Sequence, residues 1–302
     1  MPCFYPMQAY RAEDGSVVFS DHVATSVSFD LPCGRCVGCR IEQARQKSMR
    51  MMHEAKCFKE NCFVTLTYDD DHLPYGSSLV PKDLQEFLKR LRFDIRPRRI
   101  RFGGCGEYGE EFSRPHYHVA IFNYAFREDR KVFHRAQGGG AKDVYRSAQL
   151  ERLWTFGHSS VSDLTPKSAR YICGYVYKKV VGDRAEEHYS FVDASTGEVH
   201  QRYPEFWRAS NRPGLGGTWV RKFARSDVWP HDRVVYNGRE VRPPRYYDKL
   251  LEREDPDRFE EVQQARILRV SLQRADNTPE RLMAKETVAR AALALQKRNK
   301  LK

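Results

Sequence analysis

The stretch Arg114-Pro115-His116-Tyr117-His118-Val119-Ala120-Ile121-Phe122 decides how this chain is read. Its β-branched and aromatic residues predict a strand. Pro115 stands at the first residue of that strand, where a missing N–H is tolerated. Along a strand, residues i and i+2 point to the same face. His116 and His118 therefore project side by side, and paired imidazoles can chelate one divalent cation. Two polar side chains on a solvated face would use the same pattern, so the pair needs a second element to carry a function. Upstream, Ile100 to Tyr108 predicts the neighbouring strand, joined by a glycine-rich hairpin from Gly109 to Pro115. It brings Gly106-Glu107-Tyr108-Gly109, and with it a carboxylate, beside the histidines.

The second element follows Thr165-Pro166, where Thr165 is the N-cap and Pro166 the first residue of a predicted helix. Ala169, Ile172, Cys173, Val176 and Val180 recur at helical spacing and form the face to be buried. Tyr171, Tyr175 and Lys178 fall on another arc, at i, i+4 and i+7. Tyr177 belongs to neither. The apolar stripe already supplies the packing, which leaves two phenols and an ammonium available for chemistry.

Around these two elements the chain divides into predicted strands and helices. Cys62 to Tyr68 alternates with period two and reads as a strand, followed by the polar turn Asp69-Asp70-Asp71-His72. An acid triplet can bind metal, but at a strand end it more often makes a turn. Pro81 opens a helix whose core face is Leu84, Phe87, Leu88 and Leu91. A loop through Gly138-Gly139-Gly140 leads to a helix ending near Trp154, and Ser159 to Leu164 forms a short strand. Near the N-terminus, Val17 to Phe19 and Val27 to Phe29 are short strand candidates. A helix is predicted from Gln43 to about Phe58, with Arg45, Lys47 and Arg50 off its apolar stripe, on a face that is either solvated or turned to DNA. Residues 183–244 are rich in turns, aromatics and arginines, and Ser210 to Gly217 reads as a flexible loop able to approach phosphates. Residues 246–302 read as two helices broken near Asn277-Thr278-Pro279, ending in a basic tail.

Cys33-Gly34-Arg35-Cys36-Val37-Gly38-Cys39 is a compact cysteine knuckle. Its glycines let the backbone fold so that thiolates converge on one ion. A structural zinc needs four ligands; Cys3 is the leading remote candidate for the fourth and His22 the next. Reduced cysteines near a turn are the plain alternative. The spacing lacks the fourth cysteine of a ferredoxin-type iron–sulfur site.

The chain has 302 residues, enough for one large domain or two, with 52 Lys and Arg against 40 Asp and Glu. A net charge of +12 points to a polyanionic partner, nucleic acid first. Mean hydropathy is −0.71 and no apolar run reaches membrane-spanning length. The N-terminus lacks the pattern of a secretory signal, so the eight cysteines are expected in a reducing cytoplasm. No Gly-x-x-x-x-Gly-Lys-[Ser/Thr] motor motif occurs.

Taken in order, the strand Phe63 to Tyr68, Pro115-His116-Tyr117-His118 and Tyr171-x-x-x-Tyr175-x-x-Lys178 resemble the three motifs of HUH endonucleases, the initiators of rolling-circle replication. That resemblance covers residues 62–182. Met1-Pro2-Cys3, the Pro32 to Arg40 knuckle, Gly106-Glu107-Tyr108-Gly109 and Arg212-Pro213-Gly214-Leu215-Gly216 further resemble replication initiators of microviruses, notably the gokushovirus group, to about residue 220. The C-terminal helices resemble nothing informative.

The resemblance implies an α+β fold: a ferredoxin-like antiparallel sheet with packed helices, carrying an N-terminal Cys knuckle and a C-terminal helical extension. Together with the shifts of composition along the chain, it gives four segments: 1–60 with the knuckle and a basic helix, 61–182 the endonuclease core, 183–244 a loop-rich extension near DNA, and 245–302 a basic helical tail. It implies a catalytic Mg²⁺ or Mn²⁺ on His116, His118 and Glu107, the last in the position from which viral initiators often supply a third ligand. Nitrogen ligands favour Mn²⁺ over Mg²⁺. It implies Tyr171 and Tyr175 as nucleophiles assisted by Lys178, a single-stranded DNA origin as substrate, and a host helicase and polymerase as partners in the bacterial cytoplasm. Two rival readings stand beside it. One is a zinc-knuckle module that binds single-stranded nucleic acid without cutting it; the other is a metal-dependent hydrolase that uses water as nucleophile.

Overall fold

The computed structural model describes residues 3–14, 16–20, 28–109, 112–136, 143–174, 180, 182–272 and 274–298. The chain divides into two units, one of residues Met1–Ala44 with Asp248–Lys302 and the other of Arg45–Tyr247.

The second unit is built on a seven-stranded antiparallel sheet. Its spatial order is Phe206–Ala209, Arg101–Tyr108, Pro115–Phe122, Asn61–Tyr68, Gly157–Asp163, Val144–Arg146 and Lys131–His134. The central strand Asn61–Tyr68 alternates strictly in burial. Cys62, Val64, Leu66 and Tyr68 face inward, while Phe63, Thr65 and Thr67 point to the other side. On the inward side the helix Pro81–Asp94 buries Leu84, Phe87, Leu88 and Leu91, the four residues its periodicity predicts. They pack with Val119, Ile121 and Trp154 into one apolar cluster.

Two buried phenols pin the start of that helix to the sheet. The Tyr68 and Tyr117 hydroxyls are 2.7 Å apart, Tyr68 donates to Asp83, and Tyr117 donates to the Val80 carbonyl. Because both of these hydroxyls are hydrogen-bonded, their pairing offsets the cost of taking them out of water. The Trp154 indole N–H donates to the Thr67 carbonyl, tying the Ala148–Leu153 helix end to the same strand.

The other face carries the helix Pro166–Gly174, which buries Ala169, Ile172 and Cys173. Thr165 caps it as the sequence predicts. Its Oγ1 accepts from the Ser168 N–H, and Ser168 Oγ accepts from the Thr165 N–H, a reciprocal cap with serine in place of the usual Glu.

Several expectations need correction. The first long helix is Val37–Ala55 and starts well before Gln43, within the cysteine knuckle. Its buried positions include Ser48, His53 and Glu54, which meet partners inside the fold: Ser48 bonds Tyr236, His53 bonds Tyr247 through Nδ1 and stacks on Trp219, and Glu54 bonds Arg101 and the Gly216 N–H. Its basic residues do not form a solvated face. Arg50 stacks on Tyr246, 4.2 Å from the ring centroid, and donates to the Leu215 carbonyl, while Lys47 lies over Trp207. Two strands, Lys131–His134 and Val144–Arg146, have no clear sequence pattern; both are short and exposed or half-buried. Within residues 183–244, Phe206–Ala209 pairs with Arg101–Tyr108 as an edge strand.

In the first unit, Met7–Arg11 is the middle strand of a three-stranded sheet, between Val17–Val18 and Phe29–Leu31. The C-terminal part has a further helix boundary beyond the predicted one. Asp255 accepts from the Arg258 N–H and Pro256 opens Pro256–Ser271, which separates it from Arg245–Glu254; the expected break at Asn277-Thr278-Pro279 precedes Pro279–Arg298. No helix among the described residues is long and apolar enough to cross a membrane.

Candidate active site

Strand register builds the site. Glu107 is the cross-strand partner of His116, and His118 stands between Cys105 on one side and Thr65 on the other. Residues directly opposite in an antiparallel pair share a face. His116, His118 and Glu107 therefore converge on the face away from the Pro81–Asp94 core. Gly104 makes this close pairing feasible, since a Cβ there would come within 2.7 Å of the His118 carbonyl oxygen.

The Nε2 atoms of His116 and His118 both lie 2.8 Å from Glu107 Oε1. His118 Nδ1 is 3.0 Å from the Thr65 hydroxyl, and His116 Nδ1 is 3.0 Å from the Arg114 carbonyl oxygen. A carbonyl only accepts, so His116 carries its proton on Nδ1 and a neutral ring turns a lone pair from Nε2 toward the carboxylate. Glu107 Oε2 is also buried without a hydrogen-bond partner among the described residues. Lone pairs and a buried carboxylate crowding one point are relieved by a proton or by a cation. The donor set of two imidazoles and one carboxylate fits a divalent ion. The Glu107 side chain is 2% exposed and that of His118 7%, whereas that of His116 retains 17%, so the site opens toward His116.

Tyr171 lies next to this cluster. Its ring centroid is 5.1 Å from that of His118, edge to face, and 6.4 Å from Phe63, which itself stacks on His118. The helix thus delivers one of the predicted phenols to the face that holds the histidines. Tyr175, Lys178 and Tyr177 lie outside the described residues.

Other candidates resolve differently. Asp69 accepts from the N–H and ring of His72, so this stretch is a polar turn; the metal-ligand groups among the described residues do not include it. The Arg212 to Gly216 segment is held by protein. Its Gly214 N–H donates to Tyr246, its Gly216 N–H donates to Glu54, and its Pro213 carbonyl accepts from Arg101. Cys3, Cys33, Cys36 and Cys39 do assemble, with their Sγ atoms all within 4.8 Å of one another, while His22 lies outside the described residues. Thr65 and the Arg114 carbonyl, which orient the two imidazoles, were not anticipated. Thr65 had a signal, its place on the polar face of the alternating strand Cys62 to Tyr68.

The profile of the family described as "Replication-associated protein ORF2/G2P" matches residues 61–180, a span that includes Glu107, His116, His118 and Tyr171. Replication-associated protein VP4 of Bdellovibrio phage phiMH2K is 31% identical over 270 residues, which cover 86% of this chain and 80% of that protein. This chain belongs to the replication-associated proteins of microvirus-like phages. Replication-associated protein ORF2 of Spiroplasma virus 4 is 29% identical over 283 residues, covering 86% of this chain and 83% of the relative. Replication-associated protein ORF4 of Chlamydia phage 1 is 32% identical over 238 residues, covering 76% and 55%. No solved structure matches this replication-associated protein.

Proposed function

We propose that this replication-associated protein nicks and rejoins single-stranded DNA at a replication origin, through a 5′-phosphotyrosine intermediate. The observation that carries this reading is the convergence of His116, His118 and Glu107 on one point beside the Tyr171 ring. Support also comes from the order of four strands and two helices in the sheet, Asn61–Tyr68, Pro81–Asp94, Arg101–Tyr108, Pro115–Phe122, Ala148–Leu153 and Gly157–Asp163. The histidine strand lies beside the first strand at the centre, an arrangement that supports reading the core as ferredoxin-like and of the HUH type.

Two imidazoles and the Glu107 carboxylate would hold Mg²⁺ or Mn²⁺, and that ion would supply Lewis-acid polarisation of a non-bridging phosphate oxygen. Thr65 and the Arg114 carbonyl keep the two rings turned toward it. The phenol of Tyr171 or Tyr175 attacks phosphorus. A phosphorus–phenolate oxygen bond forms, the bond from phosphorus to the 3′ oxygen breaks, and the phenolic proton is taken up by the departing 3′ oxygen. A free phenol has a pKa of about 10 and is a weak nucleophile at neutral pH. The Lys178 ammonium offsets the charge that develops during attack. The covalent link conserves the phosphodiester bond, so rejoining by the reverse step needs no nucleotide cofactor.

In this reading the free 3′ hydroxyl serves a host polymerase and a host helicase separates the strands, both in the bacterial cytoplasm. The activity resides in residues 61–182, with 183–244 running near the DNA and 245–302 forming a basic extension. A labelled single-stranded oligonucleotide carrying the origin tests the reading. A covalent protein–DNA adduct is expected; a cut with both ends free means that water is the nucleophile, and a mobility shift alone means a binding module.

A further inference from the structure

The cysteine knuckle plays no part in the proposed cleavage, yet it is the other place where ligating side chains converge. Cys3 and Cys39 are buried, Cys33 and Cys36 half-buried, and all four are free thiols. Cys36 Sγ is 4.0 Å from Cys3 Sγ, about twice the S–S length of a disulfide. Four sulfurs around a Zn²⁺ ion with Zn–S bonds of about 2.3 Å lie about 3.8 Å apart along each tetrahedral edge. The Cys3–Cys36 separation is close to such an edge, and all four sulfurs lie within 4.8 Å of one another.

The backbone around the sulfurs is arranged for thiolates. Cys33 N–H points at Cys3 Sγ at 3.3 Å, Cys36 N–H at Cys33 Sγ at 3.4 Å, and both Phe4 N–H and Cys39 N–H at Cys36 Sγ at 3.4 and 3.5 Å. Such donors spread the excess negative charge of a four-thiolate centre. Gly34 has φ of +73° with nothing near where a Cβ would be, so the turn needs glycine for its backbone conformation and not for space. Its carbonyl accepts from Gln43 Nε2, which ties the turn to the helix Val37–Ala55.

We propose that Cys3, Cys33, Cys36 and Cys39 hold one structural Zn²⁺ that staples the N-terminal segment to the start of the Val37–Ala55 helix. Cys3 precedes the strand Met7–Arg11 and Cys33 follows its partner Phe29–Leu31, with Met7 opposite Leu31. The ion therefore closes the open end of a sheet whose strands are too short to be stable alone. Its hold extends further within this unit. Two residues after Cys3, the Tyr5 hydroxyl donates to buried Glu286 on the helix Pro279–Arg298, and Arg290 pairs with the same carboxylate. Uptake of Zn²⁺ by four thiols releases protons and couples metal binding to folding.

The test uses the full chain purified without chelator. Zinc and iron are measured in the His116→Ala/His118→Ala protein, so that the other ligand cluster cannot contribute. Close to one zinc per chain is expected, with iron below a tenth, and Cys36→Ser should lose the zinc. Since Cys36→Ser is exposed to misfolding, the chain with intact cysteines is also stripped and refilled with Co²⁺. Intense thiolate-to-Co²⁺ charge-transfer absorption with tetrahedral bands is expected, displaced by one equivalent of Zn²⁺. Stripped protein should become sensitive to proteolysis between Tyr5 and the Val37–Ala55 helix and within Pro279–Arg298. Iron in place of zinc, zinc lost with the histidines, a cobalt spectrum without thiolate bands, or unchanged proteolysis after stripping would each overturn the proposal.

Discussion

Thr65 and His118 are cross-strand partners, and the Thr65 hydroxyl lies 3.0 Å from His118 Nδ1. This bond fixes the ring so that Nε2 faces Glu107. Replacing the hydroxyl by a methyl of similar shape in Thr65→Val removes the orientation while keeping a strand-compatible side chain. Loss of such an outer partner costs about 10–100-fold in metal affinity. Titration of Mn²⁺ by electron paramagnetic resonance should show that loss, with unfolding by urea nearly unchanged. Wild-type affinity in the variant would mean that Thr65 does not position His118.

Glu107→Gln and His116→Ala should abolish nicking in Mg²⁺ or Mn²⁺, with losses on the order of a hundredfold or more, since each removes a ligand of the proposed ion. Binding of the oligonucleotide should change little, because basic side chains supply the affinity for phosphates. Removal of divalent ions by chelation should reproduce the same split in the unaltered protein. A His116→Ala protein that still nicks would remove the histidine pair from the mechanism.

Peptide mapping of trapped DNA adducts separates the two tyrosines. The proposal has either phenol serve one site, as side chains four apart would if the sequence spacing is helical there. Tyr171→Phe and Tyr175→Phe are each expected to leave an adduct on the remaining tyrosine, and the double variant none. An adduct on Tyr177 would show that the helix presents a different face.

Phe87 is fully buried in the cluster between the Pro81–Asp94 helix and the sheet. Phe87→Ala should cost about 3–5 kcal/mol of stability, the range for truncating a buried phenylalanine. Denaturant unfolding measures it, and a loss below about 1 kcal/mol would contradict the packing described.

His53 stacks on Trp219 with ring centroids 3.7 Å apart, and its Nδ1 lies 2.8 Å from the Tyr247 hydroxyl. Burial, with the Lys56 charge as a lesser cause, pushes its pKa down to about 3. In the unfolded chain the same ring titrates near about 6.5. Between these values the unfolded state binds the extra proton, so stability is lost as pH falls through about 6.5 toward about 3. From pH 7 to pH 5 the loss is about 2 kcal/mol from this residue. His53→Gln should lose less stability than wild type over that interval by about this amount; equal losses would place His53 in water.

Much of the candidate site is legible locally. That His116 and His118 share a face follows from the pleat of a strand, and the buried stripe Leu84, Phe87, Leu88 and Leu91 follows from the turn of a helix. The Thr165 cap is likewise written in residues three apart. Even Glu107 was foreseeable as a neighbour, because a short hairpin leaves little choice of partner strand. Sequence spacing also converges three of the four knuckle cysteines.

The tertiary structure decided what lies far along the chain. Register alone places Glu107 opposite His116 and Thr65 beside His118. Cys3 reaches the knuckle because Met7–Arg11 pairs with Phe29–Leu31. Glu54 and His53 are buried although they break the apolar stripe, because Arg101 and Gly216 bond Glu54 and Tyr247 and Trp219 hold His53 from distant segments. Arg50 turns inward for the same reason, held by Tyr246 and the Leu215 carbonyl. Periodicity is set by covalent geometry between neighbours and so appears in any short window. Long-range pairing is set by which segments, once brought together against chain entropy, leave no buried polar group unpaired, and no window contains that information.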